Sequence, residues 1–434
     1  MSPIMFSLFI EDLKFYLQDN LNCGINLQDI CLILLLFADD MVLIGENPHD
    51  LQCSLNKLNE YCNKWGLEVN VDKSKIVVFR KRGGLKTGEK WSYGQENIEI
   101  VNFFTYFGVT LNYTGNFNLN TQALYGKSLK ALNNLVANLT KYETKPKVAL
   151  ELFDSFVGSI LMYASEVWGF CKSKKLENTH VKFCKTILGV RKSSSNVAVY
   201  GELGRYPLYL NRYIRIIKFW FKMIGTSNII IESIVKSCIS DVSKGYTNWF
   251  SNVRTLLEKY GFLNVWLNPS SVNQNQFIAV FKQRLLDEYV QEWRASLNTN
   301  DVLILYRSVK DNFEMEPYLE NIISRNLRIA LTKLRISAHS LRIQTGRYSR
   351  DRVDRNLRYC LICNANEIED EFHFILMCPA YENLRKIHIK RYYRNRPNMH
   401  KFVQLLRCDT NKEIHMLCKY INEAFKLRYQ IINN

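Results

Sequence analysis

The chain has 434 residues, of which 58 are lysine or arginine and 41 are aspartate or glutamate, giving a formal net charge of +17. With 47% hydrophobic and 13% aromatic residues, the composition excludes an intrinsically disordered protein and supplies enough apolar side chains for a large core. So large a positive excess predicts an anionic partner, nucleic acid before a membrane surface, although a merely basic globular protein has the same composition.

The first 115 residues alternate between strand-like and helix-like patterns. Apolar residues recur at steps of three and four from Leu51 to Trp65, which predicts an amphipathic helix. Runs rich in β-branched and aromatic residues lie on both sides of it, at 31–44, 67–79 and 103–111. We therefore predict an α+β region. We expect no signal peptide, because the apolar opening segment has neither a basic start nor a small-residue cleavage site.

Two adjacent carboxylates interrupt the most apolar run, residues 30–44. Asp39 and Asp40 leave that run far short of the ~20 apolar residues that a membrane-spanning helix needs. Two bare carboxylates buried in a sheet would be very costly without a cation or a basic partner. At the tip of a β-hairpin, however, they could together hold Mg²⁺ for phosphoryl transfer. A polar turn is the commoner meaning of such a pair.

From about residue 116 to residue 321 the pattern is almost wholly helical, with breaks near prolines and glycines. We divide this stretch into helical segments at 116–225 and 226–321. The second of these carries no functional motif. The periodicity therefore predicts that residues 226–321 pack as helices. We expect the functional residues in the segments on either side.

Residues 322–358 are predicted to form a basic helix. Leu327, Leu334 and Leu341 recur every seven residues, and an arginine follows each of them. The parallel stripe of cations predicts a phosphate-contacting surface, although a solvated charged face is the alternative. The residues expected to bind nucleic acid here are Arg325, Arg328, Arg335 and Arg342.

A zinc site is predicted at 359–380, where four residues have the spacing C-x2-C-x9-H-x4-C: Cys360, Cys363, His373 and Cys378. Three thiolates and one imidazole make a closed tetrahedral site for structural Zn²⁺. Reduced cysteines that lie near a histidine by chance are the alternative. The acidic residues between the ligands are not expected to bind zinc, which prefers the softer set. Most of the other cysteines are scattered, and we expect a reducing, intracellular environment.

The final segment, 381–434, begins with six basic residues, two tyrosines and no acid between Arg385 and Arg396. This mixture suits phosphate contacts combined with base stacking on RNA or single strands. The residues expected to bind nucleic acid in this basic helical tail are Arg385, Lys390, Arg391, Arg394 and Arg396.

The order of motifs resembles the reverse transcriptases of non-LTR retrotransposons, the LINE-type elements. The resemblance rests on Phe37-Ala-Asp-Asp, on Trp65-Gly-Leu followed by Asn70-Val-Asp-Lys-Ser-Lys, and on Tyr106-Phe-Gly-Val. It implies part of a right-hand polymerase palm at 1–115, a thumb at 116–225 and a helical connector at 226–321. It further implies that Asp39 and Asp40 bind Mg²⁺ and that Lys73 binds the triphosphate. It also implies a primer grip formed by Tyr106, Phe107 and Gly108.

The resemblance also implies that this chain is the C-terminal part of a longer polymerase. Ser2 and Pro3 look like the end of a motif whose Gln-Gly half would come earlier, as would the fingers and the strand with a third carboxylate. We therefore expect the chain to be inactive alone, because two-metal catalysis uses carboxylates from more than one strand. The cysteine pattern is similar to the Cys-Cys-His-Cys zinc knuckle of these elements, and no restriction-like nuclease pattern follows it.

The predicted function is RNA-directed DNA synthesis primed from a target DNA end. It implies an RNA template, target DNA, deoxynucleoside triphosphates, Mg²⁺ and structural Zn²⁺, in the nucleus or a cytoplasmic ribonucleoprotein and without a membrane partner. Two alternatives remain open at this point. The chain could be a non-catalytic nucleic-acid-binding remnant of such an element, or a host-recruited protein whose basic surface assembles on RNA.

Overall fold

The computed structural model describes residues 3–18, 24–27, 30–80, 89–170, 173–348, 352–363, 365–407 and 410–433. Ser2, which belongs to one of the motifs above, lies outside them. The chain forms two compact units, each assembled from separate stretches. The first unit comprises Met1–Ala123, Ala164–Cys171 and Arg212–Ala279, and the second comprises Leu124–Tyr163, Lys172–Asn211 and Val280–Asn434.

The predicted α+β class is confirmed, because short sheets occur only in the first 112 residues among those described and helices form most of the rest. The first helices are α1 Pro3–Phe9, α2 Leu13–Gln18 and α3 Pro48–Trp65. The strands are β1 Ile25–Leu27, β2 Ile30–Leu32, β3 Leu34–Phe37, β4 Asp40–Leu43, β5 Lys75–Ile76, β6 Ser92–Tyr93, β7 Glu96–Asn97, β8 Glu99–Ile100, β9 Phe103–Tyr106 and β10 Val109–Asn112. They make five two-stranded sheets, four of them antiparallel (β1–β2, β3–β4, β6–β7 and β9–β10) and one parallel (β5–β8).

Helix α3 confirms the amphipathic helix predicted from Leu51 to Trp65 and begins three residues earlier. It starts at Pro48 because the Asn47 side chain accepts the backbone N–H of Asp50 at 3.1 Å and a proline suits the first helical position. It ends where Gly66 takes the left-handed conformation. Its apolar face packs on α2 in a core that includes Leu13, Leu17, Leu58, Tyr61 and Cys62.

The helices that follow are α4 Asn118–Leu139, α5 Pro146–Phe153, α6 Ser159–Leu161, α7 Ser165–Trp168, α8 Lys174–Leu188, α9 Asn196–Glu202, α10 Leu208–Ile224, α11 Ile229–Ser243, α12 Trp249–Lys259, α13 Leu263–Leu267 and α14 Gln274–Asn298. A π-helical segment, Asp154–Gly158, joins α5 to α6. Because α4, α10 and α14 have residues in both units, the two helical segments separated in the sequence at residue 225 do not coincide with the two units.

The remaining helices belong to the second unit: α15 Ile304–Val309, α16 Tyr318–Asn321, α17 Arg325–Arg335, α18 Arg342–Tyr348, α19 Glu382–His388, α20 Arg391–Arg394, α21 Met399–Leu406 and α22 Asn411–Asn433. Short 3-10 turns lie at Pro269–Ser271, Arg355–Leu357 and Pro379–Tyr381, and a second π-helical segment lies at His373–Met377. In the parts of the chain that are described, no helix combines the length and the apolarity needed to cross a bilayer.

The single basic helix predicted at 322–358 is wrong, because the region forms two helices, α17 and α18. The chain leaves α17 at Ser337, which has a φ of +58°, and the backbone N–H of Ala338 returns to the carbonyl of Lys333 at 2.8 Å. The heptad leucines do face the core, since Leu334 and Leu341 are fully buried. A periodic apolar face therefore continues across a break in the backbone helix.

Candidate active site and candidate metal centre

Asp39 and Asp40 lie at the tip of the hairpin formed by β3 and β4, here called the aspartate hairpin. Phe37 pairs with Asp40, which leaves Ala38 and Asp39 as a two-residue turn. Ala38 has a φ of +53°, a conformation that costs a residue with a Cβ about 1–2 kcal/mol. Both carboxylates are exposed, so the turn presents them to solvent and spares the desolvation cost of burying them.

The two faces of the aspartate hairpin differ in their surroundings. Leu34, Met41 and Leu43 pack against the core formed with α2 and α3. The alternate side chains, Leu35 and Phe37, lie on the other face, where Phe37 is 65% exposed. Asp40 pairs with Phe37 and so shares this open face. Local alternation thus anchors one face of the hairpin and leaves the carboxylates free to bind a ligand.

A second hairpin, β9 and β10, is here called the Tyr-Phe-Gly hairpin. Tyr106 pairs with Val109, and the turn residues Phe107 and Gly108 have φ values of +45° and +73°. Positive φ at both central residues matches a type I′ turn, whose twist suits a tight hairpin and favours glycine. The strand that follows is fixed because Asn120 accepts the backbone N–H of Thr110 at 3.1 Å.

The tips of the two hairpins meet. The rings of Phe37 and Phe107 lie edge to face, with centroids 4.8 Å apart, and the ring of Tyr106 lies 4.1 Å from that of Phe107. Burial and the negative charge of Asp40 raise the pKa of the Tyr106 hydroxyl above its ordinary value. The structure therefore brings together five of the residues singled out in the sequence, although about 65 residues separate the two motifs.

Lys73 lies on a different feature, the turn that follows Gly66. Its backbone N–H is bound by the Asn70 side chain at 3.0 Å, and the Ser74 hydroxyl donates to the Asn70 carbonyl at 2.9 Å. These bonds shape the turn, and the Lys73 side chain is exposed. Within the described residues, no hydrogen bond or ion pair joins Lys73 to either aspartate. Its role in binding a triphosphate stays a prediction.

The four predicted zinc ligands converge in the second unit, here called the cysteine cluster. Their ligand atoms, one from each of Cys360, Cys363, His373 and Cys378, all lie within 4.8 Å of one another. His373 Nε2 lies 3.3 Å from Cys363 Sγ, and His373 and Cys378 are buried. A hydrogen bond from Cys378 lowers the pKa of the Cys360 thiol far below its usual range, and the same contact raises the pKa of Cys378. Three sulfurs and one nitrogen at this spacing fit the donor set and coordination number of zinc.

Backbone hydrogen bonds hold the cysteine cluster in place. The backbone N–H of Cys360 donates to Glu367 O at 2.8 Å across a short antiparallel bridge between Tyr359 and Ile368. The backbone N–H of Cys378 donates to His373 O at 2.7 Å, which closes the π-helical segment. The first two ligands thus come from a hairpin-like turn and the last two from one helical turn, an arrangement that a local spacing pattern can predict.

Sequence reasoning missed the acidic residues that support the cluster. Glu369 is buried and accepts two hydrogen bonds from Arg428, at 2.7 and 2.8 Å, and one from the Arg342 backbone at 2.7 Å. Glu371 bonds with His339 at 2.8 Å. Burial raises the pKa of Glu371, but its hydrogen bonds, chiefly that with His339, outweigh burial and lower it. Glu369 ties the loop of the cysteine cluster to α22, and Glu371 ties it to the turn between α17 and α18.

Three predicted phosphate-binding arginines are buried, which corrects the idea of one continuous basic stripe. Arg328 donates to the carbonyls of Ile322 and Ile323, and Arg335 forms ion pairs with Glu202 at 2.8 Å and Glu316 at 2.6 Å. Arg385 donates to the carbonyls of Ile375 and Cys378. Because these guanidinium groups are already bonded inside the protein, they stabilise the fold and are not available to phosphates.

The other predicted nucleic-acid-binding residues reach the surface to different degrees. Arg325, Lys390, Arg391 and Arg396 are exposed, and Arg342 and Arg394 are half-buried. Lys390 already pairs with Glu413, and Arg394 donates to the Ile389 carbonyl at 2.9 Å. Their contact with nucleic acid stays a prediction. It is best supported for the exposed residues that have no ion pair among the described residues.

Comparison with known proteins supplies the family. Residues 1–111 match the model of a family described as "Reverse transcriptase (RNA-dependent DNA polymerase)". Over these residues the chain is similar to reverse transcriptases. The reverse transcriptase region contains both the aspartate hairpin and the Tyr-Phe-Gly hairpin. The family implies a nucleic-acid template, deoxynucleoside triphosphates and a divalent metal.

The chain is also similar to one curated relative. The chain is 30% identical, over 160 residues, to a transposon-derived protein of Caenorhabditis elegans. The match covers 36% of this chain and 56% of that protein, so the chain spans about half the length of its relative. Together with the reverse transcriptase region, this match confirms the predicted kinship with retrotransposon reverse transcriptases.

Proposed function

We propose that this chain is the C-terminal part of a LINE-type reverse transcriptase that copies RNA into DNA from a primer end on target DNA. The observation that carries the proposal is the meeting of the aspartate hairpin and the Tyr-Phe-Gly hairpin through Phe37 and Phe107. This contact brings an exposed carboxylate pair beside a glycine turn that a primer strand could approach closely.

Each residue has a distinct role in this proposal. Asp39 and Asp40 would hold Mg²⁺, which would help to activate the primer 3′-hydroxyl and to neutralise the departing pyrophosphate. Lys73 contacts the incoming triphosphate. The turn from Tyr106 to Gly108 holds the primer end, because glycine lets a strand approach the backbone without a Cβ in the way. We expect the chain to bind primer and template without extending the primer, since the aspartate pair lies on one hairpin.

The cysteine cluster has a structural role in this proposal. Cys360, Cys363, His373 and Cys378 would hold one Zn²⁺ with no open position for chemistry. The metal would fix a knuckle beside the exposed cations of the second unit. The nucleic-acid contacts of the chain would then come from two regions, the two hairpins of the first unit and the exposed cations of the second unit.

The test measures divalent-metal binding at the aspartate hairpin. Mn²⁺ binding to the whole 434-residue chain, with a primer–template duplex present, is followed by electron paramagnetic resonance. We expect Asp39→Asn and Asp40→Asn each to weaken binding, because each removes an oxygen ligand with little change in shape. Glu68→Gln, which neutralises an exposed carboxylate elsewhere in the first unit, is the matched control. Equal Mn²⁺ affinity in all four proteins would contradict the proposal.

A non-catalytic nucleic-acid-binding remnant is the alternative, and the net charge of +17 together with the cysteine cluster favours it. The two functions differ in what the aspartates do. If the chain binds RNA tightly while the aspartate variants leave Mn²⁺ affinity unchanged, the remnant is the better description. Mn²⁺ binding that depends on Asp39 and Asp40 favours the polymerase.

A further inference from the structure

A groove with a volume of about 630 Å³ lies between α17 and α22 in the second unit. That size lies within the ~300–1,000 Å³ typical of ligand-binding clefts. Residues from both helices line the groove, and Arg191, from the turn after α8, lies at one edge. We call it the basic groove, for the reason that follows.

Three cations in the basic groove have no bonding partner among the described residues. Arg191 and Lys426 are exposed and Lys333 is half-buried, and within the described chain none of them has an ion pair or a side-chain hydrogen bond. None of the described residues that line the groove is acidic. A concave surface that gathers like charges without a counter-ion attracts a polyanion, and a chain of phosphates meets that requirement.

The groove also presents an aromatic surface. Tyr429 is 72% exposed, and Phe425, one turn earlier on the same face of α22, packs on Phe374 with ring centroids 4.6 Å apart. A flat exposed ring beside free cations is the combination on which single-stranded nucleic acid binds, because its unpaired bases stack while its phosphates pair with the cations. The amides of Asn326 and Asn422 add donors and acceptors that can meet base edges.

The fold holds the groove rigidly from two sides. Gly189 ends α8 with a φ of +63°, and a Cβ there would collide with Ile329 of α17, so only glycine lets the chain bring Arg191 to the groove. On the other side, His339 and Arg428 line the groove and are bound to Glu371 and Glu369 from the loop of the cysteine cluster. Two residues that line the groove therefore also hold the loop that carries the candidate zinc ligands.

We propose that the basic groove binds single-stranded nucleic acid, with phosphates on Arg191, Lys333 and Lys426 and a base stacked on Tyr429. The inference rests on the proposed function, since it assigns a surface to the template or primer strand. It goes beyond the arginine stripe expected from the sequence, because that stripe does not include Arg191, Lys426 or Tyr429.

The test measures binding of fluorescent 12-nucleotide RNA and DNA single strands to the whole chain by anisotropy, over a range of salt. We expect the triple variant R191A/K333A/K426A to reduce the slope of log affinity against log salt by about 2, since each lost phosphate contact contributes ~0.7. Tyr429→Ala should lose about fivefold in affinity or more, and Tyr429→Phe, which keeps the ring, should bind like the unaltered chain. A triple variant of exposed lysines elsewhere in the second unit, K147A/K175A/K282A, removes the same charge and is the control.

The outcomes separate the groove from the function. If the chain binds single strands but the groove variants change affinity no more than the control does, the groove inference is overturned while the proposed function stands. If the unaltered chain binds neither RNA nor DNA at low salt, the proposed function fails as well. A blunt-ended duplex that competes as well as the single strands would overturn the stacking role of Tyr429. Greater affinity for RNA than for DNA would support the groove as a template site, and the reverse preference as a primer site.

Discussion

Arg428 of α22 and Glu369 of the cysteine-cluster loop form two parallel hydrogen bonds, at 2.7 and 2.8 Å, with side chains 8% and 1% exposed. The planar guanidinium matches the carboxylate, so the contact fixes orientation as well as distance. It ties the last helix of the chain to the loop that carries the candidate zinc ligands. This ion pair and the contact between His339 and Glu371 therefore both connect the basic groove to the loop of the cysteine cluster.

Breaking this pair is expected to destabilise the second unit strongly. Arg428→Met should lower the free energy of unfolding by about 3–5 kcal/mol, because Glu369 would remain charged and buried without its partner. Urea unfolding followed by circular dichroism measures the change. The double variant E369Q/R428M should lose less than R428M alone, since it leaves no buried charge. Lys386→Met, which breaks an exposed pair with Glu382 one helical turn away, is the control and should change stability little.

Zinc content is expected to follow the four ligands of the cysteine cluster. The purified chain should carry about one equivalent of zinc, and the double variant C360S/C363S should carry none, because structural sites need their thiolates. Mass spectrometry of the metal gives the stoichiometry. Cys53→Ser, in α3, removes a half-buried thiol outside the cluster and should keep the metal. A folded, unaltered chain without zinc would show the cluster to be four ordinary side chains.

Stability is expected to fall in mild acid because of His180. Burial, together with the positive charge of Arg205, lowers the pKa of His180 well below 6.5. Below pH 6.5, His180 in the unfolded chain binds a proton that it does not bind in the folded protein. The free energy of unfolding therefore decreases as the pH falls through about 6. The stabilising contribution is fully present above pH 6.5 and disappears toward the lower folded pKa.

Urea midpoints at pH 7.5 and pH 5.5 test this linkage. His180→Gln, which keeps an acceptor for Arg205 Nε, now 2.9 Å from His180 Nε2, should shrink the difference between the two midpoints. His400→Gln removes an exposed histidine and should leave the difference unchanged. A midpoint difference that is the same in all three proteins would assign the acid sensitivity to other groups.

The turn of the aspartate hairpin is expected to gain stability when its strain is removed. Ala38→Gly should stabilise the first unit by about 1 kcal/mol, because glycine takes a positive φ without the steric cost that alanine has there. Thermal unfolding measures the change. Ala123→Gly, at an exposed position inside α4, should instead destabilise by about 1 kcal/mol. A loss of stability in Ala38→Gly would mean that the native turn does not strain this residue.

Local sequence patterns predicted the elements whose structure is determined by residues close together in the sequence. Helix α3 follows from apolar residues three and four apart, and the cysteine cluster follows from ligands spaced within 19 residues. The aspartate hairpin follows from an apolar run broken by two charges. In each of these cases the residues that decide the structure lie close together in the sequence, so spacing alone carries the information.

Long-range contacts decided the rest. Arg325 and Arg335 look equivalent in the sequence, yet Arg325 is exposed and Arg335 is paired with Glu202, 133 residues away. Arg191 and Lys426 line one groove although they are 235 residues apart in the sequence. The periodicity of apolar or charged residues along the chain cannot predict a contact between residues so far apart in the sequence.

The charge of +17 was determined by the sequence, and so was the expectation of an anionic partner. Which cations can meet that partner was decided only by the tertiary structure. Burial pairs some arginines with carboxylates and carbonyls inside the protein. Among the described residues, it leaves Arg191, Lys333 and Lys426 together and unpaired in the basic groove. The physical reason is that a charge must find its counter-ion in three dimensions, and those left without one inside the fold are the ones available to a ligand.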